Sequence, residues 1–310
     1  MNKKQILIID TDPGVDDALA LTMLKNLNQE LETYEKIIYS SIGGNTSLEN
    51  THQNMLNILD NLSLKYDNLL IGSESTLVGE KFVDAEHYHG KNGLTLELQK
   101  TSKQDDLLEA YEYIQQLYID KKNVEITLLM LGPLTNLAKA LVSTPKISTL
   151  IKSVVIMGGA FYISGNATKY AEFNIYADPE AANIVFKSGL AIKAIGLDVC
   201  QDVVINRNKF YDSQYLFTKS KNNASRFACS LIDSFFKFHP DRNEMSLCDP
   251  IAVICLFHDN EFVYNTKEVT VETKNPKRGL TIPSNKNGKV AIAIDLNSIK
   301  VMNLIDKSLT

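Results

Sequence analysis

Apolar runs rich in isoleucine and valine alternate along this chain with segments whose apolar residues recur at helical spacing. This alternation is typical of repeated strand-helix units, which build a mainly parallel sheet. The pattern predicts strands over 5–10, 36–42, 68–72, 124–131, 153–157 and 191–197. It predicts helices over 15–28, 47–62, 106–120, 133–142, 179–188, 224–238, 250–257 and 298–308. We therefore expect an α/β fold with an open, mainly parallel sheet flanked by helices.

Three of the predicted helices have a proline at their start, namely Pro133, Pro179 and Pro250. Proline has no amide hydrogen to donate, so it suits the first position of a helix. Asp178 and Asp249 directly precede two of these prolines. Because aspartate is a favoured N-cap, we expect both to cap the helices that follow.

Two stretches depart from the alternation. Strands near 261–273 and 289–295, joined by the basic loop 274–288, predict a small peripheral hairpin. The segment 73–105 has weak periodicity and contains several glycines, which indicates a long irregular loop over a functional site. Since neither an internal repeat nor a linker interrupts the chain, we expect residues 1–310 to form a single domain.

Composition narrows the range of partners. Hydrophobic residues make up 44% of the 310 positions, which is ample for a large core, and the net charge is only -5. Because no block of like charges occurs, we expect neither nucleic acid nor a membrane surface as partner, and favour a small molecule. The first residues resemble neither a signal peptide nor a membrane span, so we expect a cytoplasmic protein. The four cysteines have no Cys-x-x-Cys spacing, which favours reduced thiols.

The densest group of candidate functional residues lies where the first predicted strand ends. Asp10, Asp12, Asp16 and Asp17 fall within eight residues. The carboxyl ends of strands in an open α/β sheet are where ligands bind. Crowded carboxylates repel one another, and a hard cation with oxygen ligands relieves that repulsion. Helix capping would explain Asp16 or Asp17, but not Asp10 and Asp12 as well.

Further polar groups follow the later predicted strands or precede helices. They are Gly43-Gly44-Asn45-Thr46, Leu131-Gly132-Pro133-Leu134-Thr135-Asn136, Gly165-Asn166, Glu172-Phe173-Asn174 and Asp249-Pro250. Each one alone is typical of an ordinary turn or cap. Together they would place amides and carboxylates at the same edge of the sheet as the aspartates. That combination suits a ligand with several hydroxyl groups.

Six segments, in order between residues 6 and about 257, resemble the nucleoside hydrolases of the inosine-uridine-preferring type. They are Asp-x-Asp-Pro-Gly-x-Asp-Asp at 10–17, Gly-Gly-Asn-Thr at 43–46, Leu-Gly-Pro-Leu-Thr-Asn-Leu-Ala at 131–138, Met-Gly-Gly-Ala at 157–160, Glu-Phe-Asn-Ile-Tyr-Ala-Asp-Pro-Glu-Ala-Ala at 172–182 and Asp-Pro at 249–250. The resemblance implies a Rossmann-like fold and hydrolysis of the N-glycosidic bond of ribonucleosides to ribose and free base. It also implies one bound calcium ion and a homodimer or homotetramer.

The resemblance assigns roles to particular positions. The calcium ligands would be Asp12, Asp17, Asp249 and the main-chain carbonyl of Leu131, with Asp10 orienting these acids from behind. The ribose hydroxyls would be held by Asp16, Asn45, Asn166, Glu172 and Asn174, with Met157 packed near the sugar. Asp12 would act as general base toward a calcium-bound water, and Asn45 would support catalysis beside it. His89 resembles a histidine near the base, although His87 and Tyr88 compete for that place.

Activation of the leaving base is left open by the sequence. Family members that protonate a purine with histidine carry it immediately before the late calcium-binding aspartate, where this chain has Cys248. A thiol matches that task poorly. His239 or His89 could supply the proton, the base could stack on Tyr or Phe side chains, or the preferred base could need less help. Cys248 as a covalent nucleophile is the least favoured, because the metal-held water already fills that role.

The segment 230–242 carries a group of aromatic residues just before the late metal-binding aspartate. Phe235, Phe236 and Phe238 could belong to the core, or they could form a lid over the base that excludes water on closing. Tyr211 and Tyr215 are weaker candidates for the same wall.

Two other functions compete with nucleoside hydrolysis. An apolar strand followed by Asp-x-Asp also marks phosphohydrolases of the haloacid dehalogenase type, which use magnesium. That motif requires Thr or Val two places after the second aspartate, where this chain has Gly14. The second competitor is a catalytically silent protein that binds ribose or a nucleoside but has lost turnover through Cys248.

Overall fold

A computed structural model describes residues 3–101, 108–120 and 123–310 of the chain. The strands are β1 (Lys4–Thr11), β2 (Lys36–Ser41), β3 (Asn68–Ile71), β4 (Leu108–Glu109), β5 (Val124–Met130), β6 (Ile151–Met157), β7 (Ile192–Ile195), β8 (Val204–Asn206), β9 (Glu244–Ser246), β10 (Phe262–Lys267), β11 (Val269–Val271), β12 (Thr281–Pro283) and β13 (Val290–Leu296). The helices are α1 (Val15–Asn26), α2 (Asn28–Leu31), α3 (Leu48–Leu62), α4 (Glu86–His89), α5 (Ala110–Ile119), α6 (Thr135–Ser143), α7 (Phe173–Ala177), α8 (Pro179–Lys187), α9 (Leu197–Cys200), α10 (Arg207–Tyr211), α11 (Asn223–Phe238), α12 (Cys248–Phe257) and α13 (Ser298–Ser308).

The central sheet of the described residues has nine strands in the order β10-β13-β7-β6-β5-β1-β2-β3-β4. All neighbours run parallel except β10, which is antiparallel to β13. The chain moves outward from β1 to β4 and then returns to the other side of β1 to build β5, β6 and β7. The strand order therefore reverses between β1 and β5. In an open α/β sheet, ligands bind in the crevice at the carboxyl ends of the strands flanking such a reversal.

The sheet is covered on both faces, as parallel sheets usually are. Leu7 and Ile9 of β1 pack in one core with residues of α1, α3, α11, α12 and α13. Ile6 and Ile8 point the other way and pack with residues of α5, α6 and α8. Burial on both sides explains why β1 is a continuous apolar run in the sequence. It also holds the end of β1, where the aspartates begin, in a rigid frame.

The predicted fold class is confirmed, since the sheet is open, mainly parallel and flanked by helices. Each predicted strand and helix has a counterpart, and most ends differ by one or two residues. Residues 106 and 107 of one predicted helix lie outside the described residues, and the described helix there is α5. The segment 73–101 is largely irregular as expected, but it contains α4. Residues 102–105 of that predicted loop lie outside the described residues.

Three expectations were wrong in detail. The predicted strand near 261–273 divides into β10 and β11, and the predicted loop 274–288 contains β12. β10 and β13 extend the central sheet, and the separate hairpin is formed by β11 and β12. Helix α6 begins two residues after Pro133, whereas α12 begins before Pro250. Asp249 therefore lies inside the first turn of α12 and is not its N-cap. Proline is still tolerated there, because the first amides of a helix have no intrahelical partner.

Asp178 is an N-cap, as the sequence predicted. Its side chain accepts a hydrogen bond from the amide of Ala181 at 3.0 Å, in the first turn of α8. The same carboxylate accepts from the amide of Leu77 at 2.6 Å and from the hydroxyl of Thr135 at 2.6 Å. The cap thus also ties α6 and the segment after β3 to α8. None of the described helices is long and apolar enough to cross a membrane.

Candidate active site

A cavity of about 420 Å³ lies at the carboxyl ends of the central strands. Its walls come from the segments after β1, β2, β5, β6 and α11, from α4 and α9, and from the start of α12. Most of the candidate site residues line it: Asp16, Asp17, Asn45, His89, Leu131, Met157, Asn166, Glu172, Asn174, Cys248 and Asp249. Asp10, Asp12 and His239 do not line it. The fold thus brings together residues that are more than 200 positions apart in the sequence.

Three carboxylates meet at the floor of this cavity. Asp16, Asp17 and Asp249 each offer an oxygen atom, and these atoms lie within 4.8 Å of one another. Asp16 and Asp17 belong to the first turn of α1, and Asp249 belongs to the first turn of α12. The partial positive charge at a helix N-terminus favours carboxylates in these positions. Two helix N-termini therefore direct their acids toward one point.

Asp12 lies directly behind this floor and is fully buried. Its Oδ2 accepts a hydrogen bond from the amide of Asn45 at 2.7 Å. A Cβ atom on Gly44 would lie 2.1 Å from Oδ2, and one on Gly132 would lie 2.7 Å from Oδ1. Both positions must be glycine for the backbone to approach the carboxylate this closely. Two glycines that look like turn residues in the sequence are thus part of the enclosure of Asp12.

Asp17 is the most extensively held of the acids. It accepts hydrogen bonds from the hydroxyl of Thr11, from the amide of Gly14 at 2.9 Å and from Nδ2 of Asn45 at 3.2 Å. The bond to Gly14 joins the third residue of α1 to its N-cap position, so Asp17 also stabilises the start of that helix.

Burial is the main influence on the ionisation of the acids. It raises the pKa of Asp12 and of Asp249 well above the usual range, and repulsion from Asp17 adds to the effect. Burial and the charge of Asp17 also raise the pKa of Asp16 to about 8. A group of carboxylates that resist ionisation in this way is stabilised by a positive charge among them.

The donor set fits a hard divalent cation. Among the described residues, Oδ1 of Asp12 and Oδ1 of Asp249 are buried without a hydrogen-bond partner. Buried carboxylate oxygens are rarely left unpaired, and metal coordination is one way to satisfy them. The ligand atoms offered here are all oxygen, the type that Ca²⁺ and Mg²⁺ prefer. Asp16 takes part in the cluster of three, although the resemblance assigned it to the ribose.

Asp10 lies at the end of β1 but contacts a different set of residues. Nδ2 of Asn136 donates to Oδ1 of Asp10 at 2.9 Å, while Oδ1 of Asn136 accepts from the amide of Ser73 at 2.9 Å. Burial raises the pKa of Asp10 to about 7. These bonds connect β1, α6 and the segment after β3. The carboxylate of Asp10 therefore braces the loops around the cavity from beneath.

Two asparagines are oriented by hydrogen bonds from their amide nitrogens. Nδ2 of Asn45 donates to the carbonyl of Asp12 at 2.9 Å as well as to Asp17. Nδ2 of Asn174 donates to the carbonyls of Leu131 at 2.7 Å and Met157 at 3.2 Å. With the nitrogen of each amide committed, the carbonyl oxygen is the group that each asparagine can offer to a ligand hydroxyl.

Glu172 is buried and caps α7. Its carboxylate accepts from the amides of Asn174 at 2.9 Å, Ile175 at 3.1 Å and Gly159 at 3.0 Å. Burial raises the pKa of this carboxyl group. The cap fixes both ends of the loop that carries Asn166, an exposed residue at the cavity wall.

The two histidines singled out from the sequence differ in position. Nδ1 of His89 accepts a hydrogen bond from the amide of Val15 at 3.1 Å, and burial lowers the pKa of His89 to about 3. His239 lies behind Tyr88, with its Nε2 2.8 Å from the carbonyl oxygen of Tyr88. His89 therefore faces the cavity as a neutral ring, and His239 supports α4 from outside.

Cys248 lines the cavity, and its thiol is hydrogen-bonded to the thiol of Cys200. The hydrogen bond to Cys200 and burial raise the pKa of Cys248 well above its usual range. All four cysteines are free thiols, in agreement with their spacing.

The aromatic segment before the late aspartate is mostly core. Phe235 and Phe236 are fully buried, and Phe238 is half-exposed. Tyr215 is buried, Tyr211 is half-exposed, and none of the five lines the cavity. The core interpretation of Phe235 and Phe236 is confirmed.

Sequence reasoning missed several cavity residues. They are Cys200, Gln201, Arg242 and Ser246, together with the loop residues 163, 164 and 167. Tyr88 and His87, which the sequence offered as competitors of His89, also line the cavity. Arg242 lies at the end of the aromatic segment, where only its charge distinguished it from other surface residues.

Comparisons with known proteins agree on one family. The family model described as inosine-uridine preferring nucleoside hydrolase matches residues 7–303. A probable uridine nucleosidase 1 of Oryza sativa subsp. japonica is 33% identical, covering 89% of this chain and 84% of its own. The pyrimidine-specific ribonucleoside hydrolase RihA of Salmonella paratyphi C is 36% identical, covering 89% and 87%. The solved structure of a plant nucleoside hydrolase, the PpNRh1 enzyme, superposes with a TM-score of 0.88 at 28% identity, covering 99% of each chain.

Proposed function

This chain belongs to the family of inosine-uridine preferring nucleoside hydrolases. We propose that the acids of its cavity hold one calcium ion and that ribonucleosides are hydrolysed while bound next to that ion. The chain is an enzyme that hydrolyses ribonucleosides, and a haloacid dehalogenase-type phosphohydrolase is not favoured. The single observation that carries the site is the convergence of three carboxylates, two of them buried, at the crevice between β1 and β5.

Calcium is the proposed ion. Asp12, Asp17, Asp249 and the carbonyl of Leu131 would hold it, and Asp16 is close enough to join them or to bind the ribose. The unpaired oxygens of Asp12 and Asp249 support this assignment. When bound, the ion would supply a Lewis acid that positions a water molecule and the ribose hydroxyls.

Asp12 is the proposed general base. The amide of Asn45 donates to its Oδ2 and fixes the carboxylate in one orientation, so that it can take the proton of the attacking water. Ionised carboxylates nearby also stabilise the positive charge that grows on the sugar as the N-glycosidic bond lengthens.

The ribose is proposed to lie against the amides and carboxylates above the acids. Asn45 and Asn174 would accept from its hydroxyls through their side-chain carbonyls, with Asp16, Asn166 and Glu172 around them and Met157 against the ring. Several such contacts hold the sugar in the shape that the reaction requires, which converts binding energy into rate.

The chain is also proposed to form one catalytic domain over 1–310 and to assemble as a homodimer or homotetramer. Light scattering on the purified protein tests the assembly directly. A mass equal to one chain at working concentration would contradict it.

The test of the function is the product released from each class of substrate. Calcium-loaded protein incubated with uridine and inosine should release ribose, detected as reducing sugar, and should release no phosphate from a generic phosphate ester. Uridine is the first substrate to try, since two of the relatives are named for uridine or pyrimidine nucleosides. Phosphate release without ribose would overturn the proposal.

A further inference from the structure

Helix α4 and the segment that follows α11 form part of the cavity wall. Tyr88 and His89 come from α4, and Arg242 comes from the segment after α11. Cys248, at the position where relatives that use histidine place it, also lines the cavity. The following inference rests on the proposed function and concerns how the base leaves.

His89 is held in one tautomer by its neighbour. A backbone amide can only donate, so the bond from the Val15 amide requires Nδ1 of His89 to be an acceptor. The ring proton of the neutral imidazole is therefore on Nε2. A second proton on Nδ1 would face the N–H of Val15. His89 can consequently donate a hydrogen bond to a ligand, but it is not built to carry a proton for transfer.

His239 is committed in the opposite way. A carbonyl oxygen can only accept, so the 2.8 Å contact requires Nε2 of His239 to donate its proton to the carbonyl of Tyr88. His239 does not line the cavity. It fixes the backbone of α4 and so helps to place His89.

Arg242 is the one lysine or arginine among the described residues that line the cavity. Its guanidinium carbon lies 5.0 Å from the centre of the Tyr88 ring, a cation-π contact that directs the charge toward α4. The backbone under it is fixed by Arg207, whose Nε donates to the carbonyl of Arg242 at 2.7 Å and whose Nη2 donates to the carbonyl of Phe236 at 3.0 Å. The cation is therefore held beside Tyr88 in the cavity wall.

We propose that Arg242 and His89 stabilise the leaving base as an anion, and that this chain uses them in place of a general acid. The bond from C1′ to the base nitrogen breaks, and its electron pair stays on the base and spreads onto the ring carbonyls. The guanidinium and Nε2–H of His89 donate hydrogen bonds to those carbonyl oxygens. Water gives its hydroxyl to C1′ and its proton to Asp12, and the base takes a proton from solvent after release.

The distribution of charge in the cavity supports this assignment. The cavity is lined by carboxylates, which favour the cation growing on ribose, and by one guanidinium, which favours the anion growing on the base. Preorganised charges aimed at developing charges are an effective way to lower a barrier. This stabilisation increases the rate of hydrolysis for nucleosides of carbonyl-rich bases, such as uracil and hypoxanthine, more than for those of amino bases such as cytosine and adenine.

The experiment compares single-turnover rates of the calcium-loaded enzyme on uridine, cytidine and 5-fluorouridine. We expect uridine to exceed cytidine by at least about tenfold, and 5-fluorouridine to be faster still, because fluorine stabilises the departing anion. Arg242→Gln should lower the uridine rate by roughly tenfold to a hundredfold and narrow the ratio of uridine to cytidine, since a charge-assisted hydrogen bond is lost. Arg242→Lys should restore part of that ratio.

Two variants act as controls. Arg226→Gln removes another exposed arginine, from α11, and should leave the ratio of uridine to cytidine unchanged. His87→Gln removes the other histidine at the cavity rim, and a collapse of the uridine rate there would identify a conventional proton donor and overturn the inference.

Equal rates for uridine and cytidine, or an equal fall in both rates in Arg242→Gln, would also overturn the inference that Arg242 stabilises the leaving base. Hydrolysis of no nucleoside at all by the wild type would instead contradict the proposed function itself.

Discussion

At the residue scale, the enclosure of Asp12 is the most demanding feature of the site. Gly44 and Gly132 leave no room beside its carboxylate, and the amide of Asn45 fixes one of its oxygens. The other oxygen is buried without a partner. A side chain held this tightly has one orientation, which is what a base must have if it is to meet a water molecule in a fixed place.

Asp12→Asn tests this role with almost no change in shape. We expect kcat for uridine to fall by about a hundredfold or more, because the amide cannot accept the proton of water. The melting temperature should change little, since a neutral group replaces a buried carboxylate. Asp202→Asn, at an exposed position, is the matched control. An Asp12→Asn enzyme with half the wild-type kcat would remove Asp12 from the mechanism.

His89 gives a prediction about acid stability. Its pKa is about 3 in the folded chain against 6.5 for a free histidine, so the unfolded chain binds the extra proton between those values. The stabilisation is complete above pH 6.5 and is lost as the pH falls toward 3. Relative to His89→Gln, the wild type should lose about 2 kcal/mol of unfolding free energy between about pH 7 and about pH 5.

Urea denaturation of both proteins at several pH values measures this difference. The variant is essential to the comparison, because the raised pKa of Asp10 produces a slope of the opposite sign in both proteins. Parallel pH profiles for the wild type and His89→Gln would show that the ring is not held neutral.

At the element scale, the hairpin of β11 and β12 supports the loop that carries Asn166. The hydroxyl of Thr281 donates to the carbonyl of Ala160 at 2.8 Å and accepts from its amide at 3.2 Å. A bridge between Ala171 and Leu280 holds the other end of the loop. The hairpin is more than 90 residues away from this loop in the sequence, but it fixes both ends of the loop.

Thr281→Val removes both bonds to Ala160 and keeps the size of the side chain. We expect KM for uridine to rise about threefold to tenfold while kcat changes less. Without the two hydrogen bonds, ordering the loop when the substrate binds costs about 1 kcal/mol, but the bound complex is the same. Thr270→Val, on the exposed side of the neighbouring strand, is the control. An unchanged KM in a stably folded Thr281→Val protein would contradict the supporting role of the hairpin.

The elements that the sequence predicted well are those with a strong apolar pattern. β1 is a continuous apolar run buried on both sides, and α11 has one apolar face, and both were found with little error. Short elements such as α4, α9 and β8 were missed, because four or fewer residues carry no periodic signal. The assignment of β10 to the main sheet depended on pairing with a distant strand, which a local pattern does not encode.

The site shows the same division between local and distant information. The aspartates of β1 and α1 could be recognised from spacing alone, and Asn45 and Asp249 from their resemblance to family motifs. Arg242 could not, because its place in the cavity depends on the docking of α11 against α4 through Tyr88. The different roles of His89 and His239 could not be predicted either, because they depend on the backbone group that each ring contacts.

At the scale of the whole molecule, the proposed site depends on one topological feature. The reversal of strand order between β1 and β5 opens a crevice, and the N-termini of α1 and α12 direct their acids into it. Burial makes these acids hard to ionise without a compensating charge. In the account proposed here, a bound cation supplies that charge and allows the acids to meet a nucleoside in ionised form.

The most direct test of this account is ribose release from uridine by chelator-treated protein as calcium is added back. We expect background rates without metal and a saturable return of activity at one ion per chain. Asp249→Asn should require more calcium for the same rate, because one of the converging oxygens is lost. Full ribose release in excess chelator would contradict the account.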